Sequence, residues 1–135
     1  MSQVKIRTAL EKRINVWATT KSYPVGWENV GGEFDSTHLR VFVFPSPVLN
    51  PSLGVEHRRY RGILRIQVYV PTEIEGPVTV ESLAEEVVEL FPRGLEIEES
   101  GVFVNIENTP TQSRVYQDGP FAYVVIETTY RSDTY

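Results

Sequence analysis

Apolar side chains recur at helical spacing near the start of the chain, where Ile6, Leu10, Ile14 and Trp17 form one stripe and Lys5, Arg7, Glu11, Lys12 and Arg13 fill the other side. The spacing predicts an amphipathic helix over residues 3–18, with Ser2 as its N-cap and the run Thr19-Thr20-Lys21-Ser22 ahead of Tyr23-Pro24 as its end. A short extended piece is expected over 25–30, followed by a turn at Gly31-Gly32. From 38 to 44 the period becomes two: Leu39, Val41 and Val43 alternate with Arg40, Phe42 and Phe44, which predicts a strand with both faces at least partly covered. Residues 61–70 alternate more cleanly, with Leu64, Ile66, Val68 and Val70 on one face and Arg61, Ile63, Arg65, Gln67 and Tyr69 on the other. Burying each of the four aliphatics contributes roughly 1.5–3 kcal/mol, so they take the core side and the arginines face outward.

A second helical stripe, Val80, Leu83, Ala84, Val87, Leu90 and Phe91, opens at Pro77 and is stopped by Pro92 and Gly94. Thr79 is the expected cap, and glutamates in the first turn suit the helix dipole, with Glu81, Glu85 and Glu89 near the face opposite the apolar stripe. Strands are expected at 95–98, 103–107 and 113–116, then a turn at 117–120 and a last strand over 121–131, where Ala122, Val124, Ile126, Thr128 and Tyr130 share one face. The order α, β, β, β, α, β, β, β predicts an α+β fold: a mainly antiparallel or mixed sheet with two helices packed on one face. A length of 135 residues, without an internal repeat or a dividing linker, predicts a single domain, residues 1–135. The connection over 45–60, rich in Pro, Ser and Gly, is longer than a hairpin turn needs and is expected to be a long assembly loop or a floppy insertion.

Charge sharpens this picture because it is divided. Between Pro71 and Glu107 stand ten acids, among them Glu81, Glu85, Glu89, Glu98 and Glu99, against the single base Arg93; the rest of the chain is net positive although the whole carries -5. The bases concentrate in Arg58, Arg59 and Arg61, with Tyr60 interleaved, and continue to Arg65. An acidic face and a basic face suit head-to-tail association of identical subunits; a solvated helix beside an unrelated basic loop gives the same totals.

Enzyme chemistry finds no constellation. His38 and His57 are the only histidines, Asp35 beside His38 lacks metal-site spacing, and with Cys 0 there is no thiolate nucleophile or disulfide. The glutamates read as an exposed helix face, Gly31-Gly32 lacks a phosphate-loop context, and no catalytic group, cofactor or metal is expected. No run reaches the ~20 apolar residues of a membrane span, and the first residues lack a signal-peptide layout, so a cytoplasmic site of synthesis and no membrane partner are expected. Arginine interleaved with tyrosine also suits phosphate contact and base stacking, though the low pI and the lack of a DNA-reading motif disfavour sequence-specific binding.

The order of INVWA, PVGWENV, LRVFVFP, RRYRGILRIQVYVP and FAYVVIETTYR resembles the tail-terminator family of long-tailed phages, the lambda-like group and its relatives of unknown function, over roughly residues 4–131. The resemblance implies a virion protein of the tail and neck, assembled in the host cytoplasm. It would form a hexameric ring on the head-proximal end of the tail tube, stop polymerisation and receive the head-tail connector. Genomic DNA would pass through the bore without sequence-specific contact. Arg58, Arg59, Tyr60, Arg61 and Arg65 would then face either the bore or Glu81, Glu85, Glu89, Glu98 and Glu99 of the next subunit. Another head-tail completion protein would share the ring and dock elsewhere, whereas a monomeric ligand-binding adaptor would show a pocket instead. Gly31 to Phe34 and Ser132 to Tyr135 fall outside the resemblance.

Overall fold

The computed structural model describes residues 2–28, 34–51, 56–72 and 77–135. Helix α1, Ser2–Lys21, buries Ile6, Leu10 and Ile14 completely, with Ala9 and Ala18 beside them, so the stripe seen in the sequence is the face that packs. It runs three residues past its expected end. Thr20 donates its hydroxyl to the Val16 carbonyl at 2.9 Å, which lets a β-branched residue sit in the last turn. The stop comes at Ser22, whose φ of 61° lies in the left-handed region. There the amide of Ser22 donates to Thr19 O (3.1 Å) and that of Tyr23 to Ala18 O (2.9 Å), the paired bonds of a Schellman ending. A non-glycine residue in this conformation is strained. Ser22→Gly is therefore expected to raise the unfolding free energy by about 0.5–1 kcal/mol in urea titrations, the relieved strain being partly offset by glycine's entropy in the unfolded chain.

The sheet is mixed. β1 (Val25–Trp27) runs parallel to β2 (His38–Pro45), which pairs antiparallel with β3 (Arg58–Pro71). After α2 (Pro77–Leu90) come β4 (Glu96–Glu99), β5 (Val102–Ile106), β6 (Thr111–Gln112), β7 (Tyr116–Asp118) and β8 (Phe121–Thr134). The lateral order is β1-β2-β3-β8-β5-β4, with β6 and β7 completing the far edge of β8. β3 and β8 form the spine, paired over their whole length from Arg58↔Thr134 to Pro71↔Phe121. Leu64, Ile66, Val68 and Val70 meet Val124, Ile126 and Tyr130 in the core, and the buried faces of α1 and α2 close over them. The two helices thus cover one sheet face, as the α+β pattern predicted.

Several boundaries differ from the sequence reading. The structure has eight strands among the described residues where about six were expected, and β8 continues to Thr134 rather than ending at 131. β3 starts at Arg58, so the arginine cluster is ladder, not loop. The connection over 45–60 is likewise less free than expected. Ser46 N donates to Arg61 O at 2.8 Å, and Leu49 and Arg59 exchange both backbone hydrogen bonds (3.0 and 2.7 Å), so its near limb extends the β2–β3 hairpin; residues 52–55 lie outside the described residues. Thr79 lies inside α2 and the first turn of that helix holds no acid, which corrects both the cap and the dipole expectation. The side chain of Ser2, the other expected cap, and the turn at Gly31-Gly32 also lie outside what is described. Ser100 and Gly101, with φ of 49° and 84°, make the tight two-residue turn between β4 and β5.

Candidate assembly surface

Outward positions on β3 alternate with the core positions, so Arg59, Arg61, Ile63, Arg65 and Gln67 line the face that carries no helix. Tyr60 does not join them. It has the parity of Leu64 and is 8% exposed within the core, so it is not an accessible stacking platform in this subunit. Arg58 is exposed at the strand's beginning and makes no ion pair among the described residues.

Register explains what the arginines do. The Arg59 Nε donates to Asp133 Oδ1 at 2.8 Å, across the strand pair that places them opposite each other. The Arg65 Nε donates to Glu127 Oε2 at 2.6 Å, also directly opposite, while its guanidinium lies 5.0 Å from the centre of the Phe44 ring. Arg61 faces Arg131, a like-charge pair that is unfavourable alone; Glu107 stands 3.6 Å from Arg61 and Asp133 3.3 Å from Arg131, and these carboxylates offset it. Four arginines therefore share three carboxylates, and the face keeps a modest positive excess. The Arg65–Glu127 pair, exposed on both sides, is worth roughly 0–1 kcal/mol, so an incoming anionic surface can exchange with it at small cost.

Asp133 is the hub of this ladder. It also accepts from His57 Nε2 at 2.8 Å, and the His57 ring stacks on Tyr135 with centroids 4.4 Å apart. Burial works to raise the Asp133 carboxyl's pKa, but the hydrogen bonds from Arg59 and His57 together with the charges of Arg59 and Arg131 outweigh it and hold the carboxyl below its ordinary range. Asp133 did not stand out in the sequence, because the β3–β8 register that joins it to Arg59 was not visible there.

At the other end of the same face His38 is buried between Phe34 (4.5 Å) and Tyr69 (4.7 Å), with the edge of Phe121 at 5.1 Å, and its Nδ1 lies 2.8 Å from the Ser36 carbonyl. Burial pushes the imidazole's pKa below 6.5, the charge of Arg40 acting the same way against the pull of the Ser36 carbonyl. The unfolded chain then binds this proton more readily. Its contribution to stability is complete above pH 6.5 and is lost as pH falls from there through the lower folded value. Unfolding titrations between pH 7.5 and 5 are expected to show a steeper loss in the wild type than in His38→Phe.

The acidic residues lie elsewhere. Glu81, Glu85 and Glu89 are exposed on α2, whose opposite side is in the core, so they point away from the sheet while the arginines point off its other face. Their neighbour Glu86 accepts from Lys21 at 2.8 Å. Glu98 accepts from the Gly101 amide at 2.9 Å, and Glu99 holds Lys12 at 2.6 Å within the chain. Between α1 and β4 runs a groove of about 510 Å³ with Trp17, Leu90 and Ile97 among its walls. A cleft of about 440 Å³ opens on the arginine face at the root of the 45–60 connection. Among the described residues no group of His, Asp and Glu is placed to hold a metal ion, and no helix is long and apolar enough to cross a membrane.

Comparison with known proteins adds two likenesses. A family model described as phage tail terminator protein matches residues 5–130. A solved structure whose name carries no functional description is 29% identical, with a TM-score of 0.83 over 100% of this chain and 98% of that one. No curated protein matches.

Proposed function

The chain belongs to the phage tail terminator family, a family of structural proteins of the phage tail, and on that premise we propose that it assembles as a closed hexameric ring on the head-proximal end of the tail tube. The ring ends tube polymerisation and offers the surface on which the head-tail connector docks. DNA passes through its bore without base-specific contact.

The observation that carries this reading is the placement of opposite charge on opposite sides of one subunit: exposed glutamates on the outer side of α2, and arginines on the helix-free face of the sheet. Complementary patches that do not coincide produce heterologous contacts, which close into rings when the rotation permits. Arg58 and Arg61, the least committed of the basic group, reach toward the next subunit's acids, while Arg59 and Arg65, each hydrogen-bonded to a β8 carboxylate, stiffen the face behind them.

Adding the purified protein to growing tail tubes tests the reading. Tubes are expected to stop lengthening and to carry a ring of added density at one end. Tubes that keep growing at the untreated rate, with bare ends, would contradict it.

A further inference from the structure

We infer that the groove between α1 and β4 is the seat for residues 46–51 of a second copy of this chain. The inference rests on the ring reading above and specifies its contact.

The groove has an apolar floor of Trp17, Leu90 and Ile97, with Val16, 68% exposed, at its lip. One wall is β4, which supplies Glu98 and Glu99. Its cations are already engaged inside the subunit: Lys12 donates to both Glu99 oxygens at 2.6 and 2.9 Å, and Arg13 donates to the Leu90 carbonyl. What faces outward is an apolar trough beside β4, where Glu98 is exposed and makes no ion pair among the described residues.

The limb over 46–51 offers the matching chemistry. Val48 and Leu49 are consecutive, 42% and 46% exposed, and Leu49 bridges to Arg59, which stands between Arg58 and Arg61 on β3. The two backbone hydrogen bonds between Leu49 and Arg59 hold the limb in place, so docking costs little further ordering. Pro47 and Pro51 restrict it further. Apolar pair and apolar trough, basic flank and acidic wall are complementary. They do not meet within one chain, because β8 and β5 stand between β3 and β4 in the sheet. The contact is therefore between copies and head-to-tail, as a ring requires.

The absence of cysteine makes the test direct. Under mild oxidation the Val16→Cys/Leu49→Cys variant is expected to give a covalent ladder extending beyond dimer on a non-reducing gel, whereas either single variant stops at dimer. Val48→Asp/Leu49→Asp, at exposed positions, is expected to keep the folded spectrum and weaken self-association roughly 100-fold. If the wild type forms rings while the cysteine pair gives no ladder and the aspartate pair leaves the ring mass unchanged, the groove assignment falls and the ring reading stands. Capture of the tube subunit by Val16→Cys in place of a second copy would also overturn it. A wild type that stays monomeric alone and on tail tubes overturns the ring reading and this inference with it.

Discussion

Gly62→Ala is expected to destabilise the protein by about 3 kcal/mol, at the top of the range for overpacked sites. Gly62 lies opposite Tyr130 in the β3–β8 ladder, and the tyrosine ring leans across it into the core. A Cβ built there would stand 2.3 Å from the Tyr130 hydroxyl oxygen, 2.6 Å from the ring carbon that bears it, and 2.5 Å from the Phe44 carbonyl oxygen. The ring has nowhere to retreat, being completely buried, and the carbonyl belongs to the paired β2 backbone. A urea midpoint that falls while the slope is unchanged would register the loss. Tyr130→Phe should behave in the opposite sense. Its hydroxyl has no hydrogen-bond partner among the described residues, and burial pushes its pKa up, so its removal is expected to be neutral or to stabilise by about 1 kcal/mol. Combining the two substitutions should recover only part of the glycine variant's loss, since the Phe44 carbonyl stays where it is.

Reversing charge on α2, as Glu81→Lys/Glu85→Lys/Glu89→Lys, should abolish assembly without unfolding the subunit. All three side chains are exposed and none makes an ion pair within the described residues, so the monomer loses nothing it depends on. Between subunits the change places like charges face to face, which costs several kcal/mol; association weaker by at least roughly 100-fold follows. Adding Arg58→Glu/Arg61→Glu to the reversed helix is expected to restore a measurable part of it. Sedimentation velocity of the single sets and of the combination would show this. Unchanged association of the reversed helix would remove the acidic face from the interface.

What the sequence disclosed follows from how far each pattern repeats. Both helices were legible because their stripes run for several turns, and the inward face of β3 was legible because four aliphatics in a row keep one parity. The same parity carried two pairs further back would have put Tyr60 inside with Leu64; reading 58–60 as loop hid it. β6 and β7 span two or three residues each, too few for a period to register, whereas the extended piece expected over 25–30 is strand at Val25–Trp27, with a parallel pairing to β2 that no local pattern encodes. The ionic ladder was the least accessible part. Arg59 and Asp133 are separated by 74 positions, and only the β3–β8 register brings them together. The last residues, which matched no family pattern, turn out to hold its hub.

Native mass measurement of the purified protein, repeated over a wide range of concentration and at low and moderate salt, separates a closed ring from a lone subunit. A discrete closed species at six times the 15.4 kDa chain mass is expected, losing subunits as salt rises. A particle that remains at 15.4 kDa under every condition, including after incubation with isolated tail tubes, would contradict it.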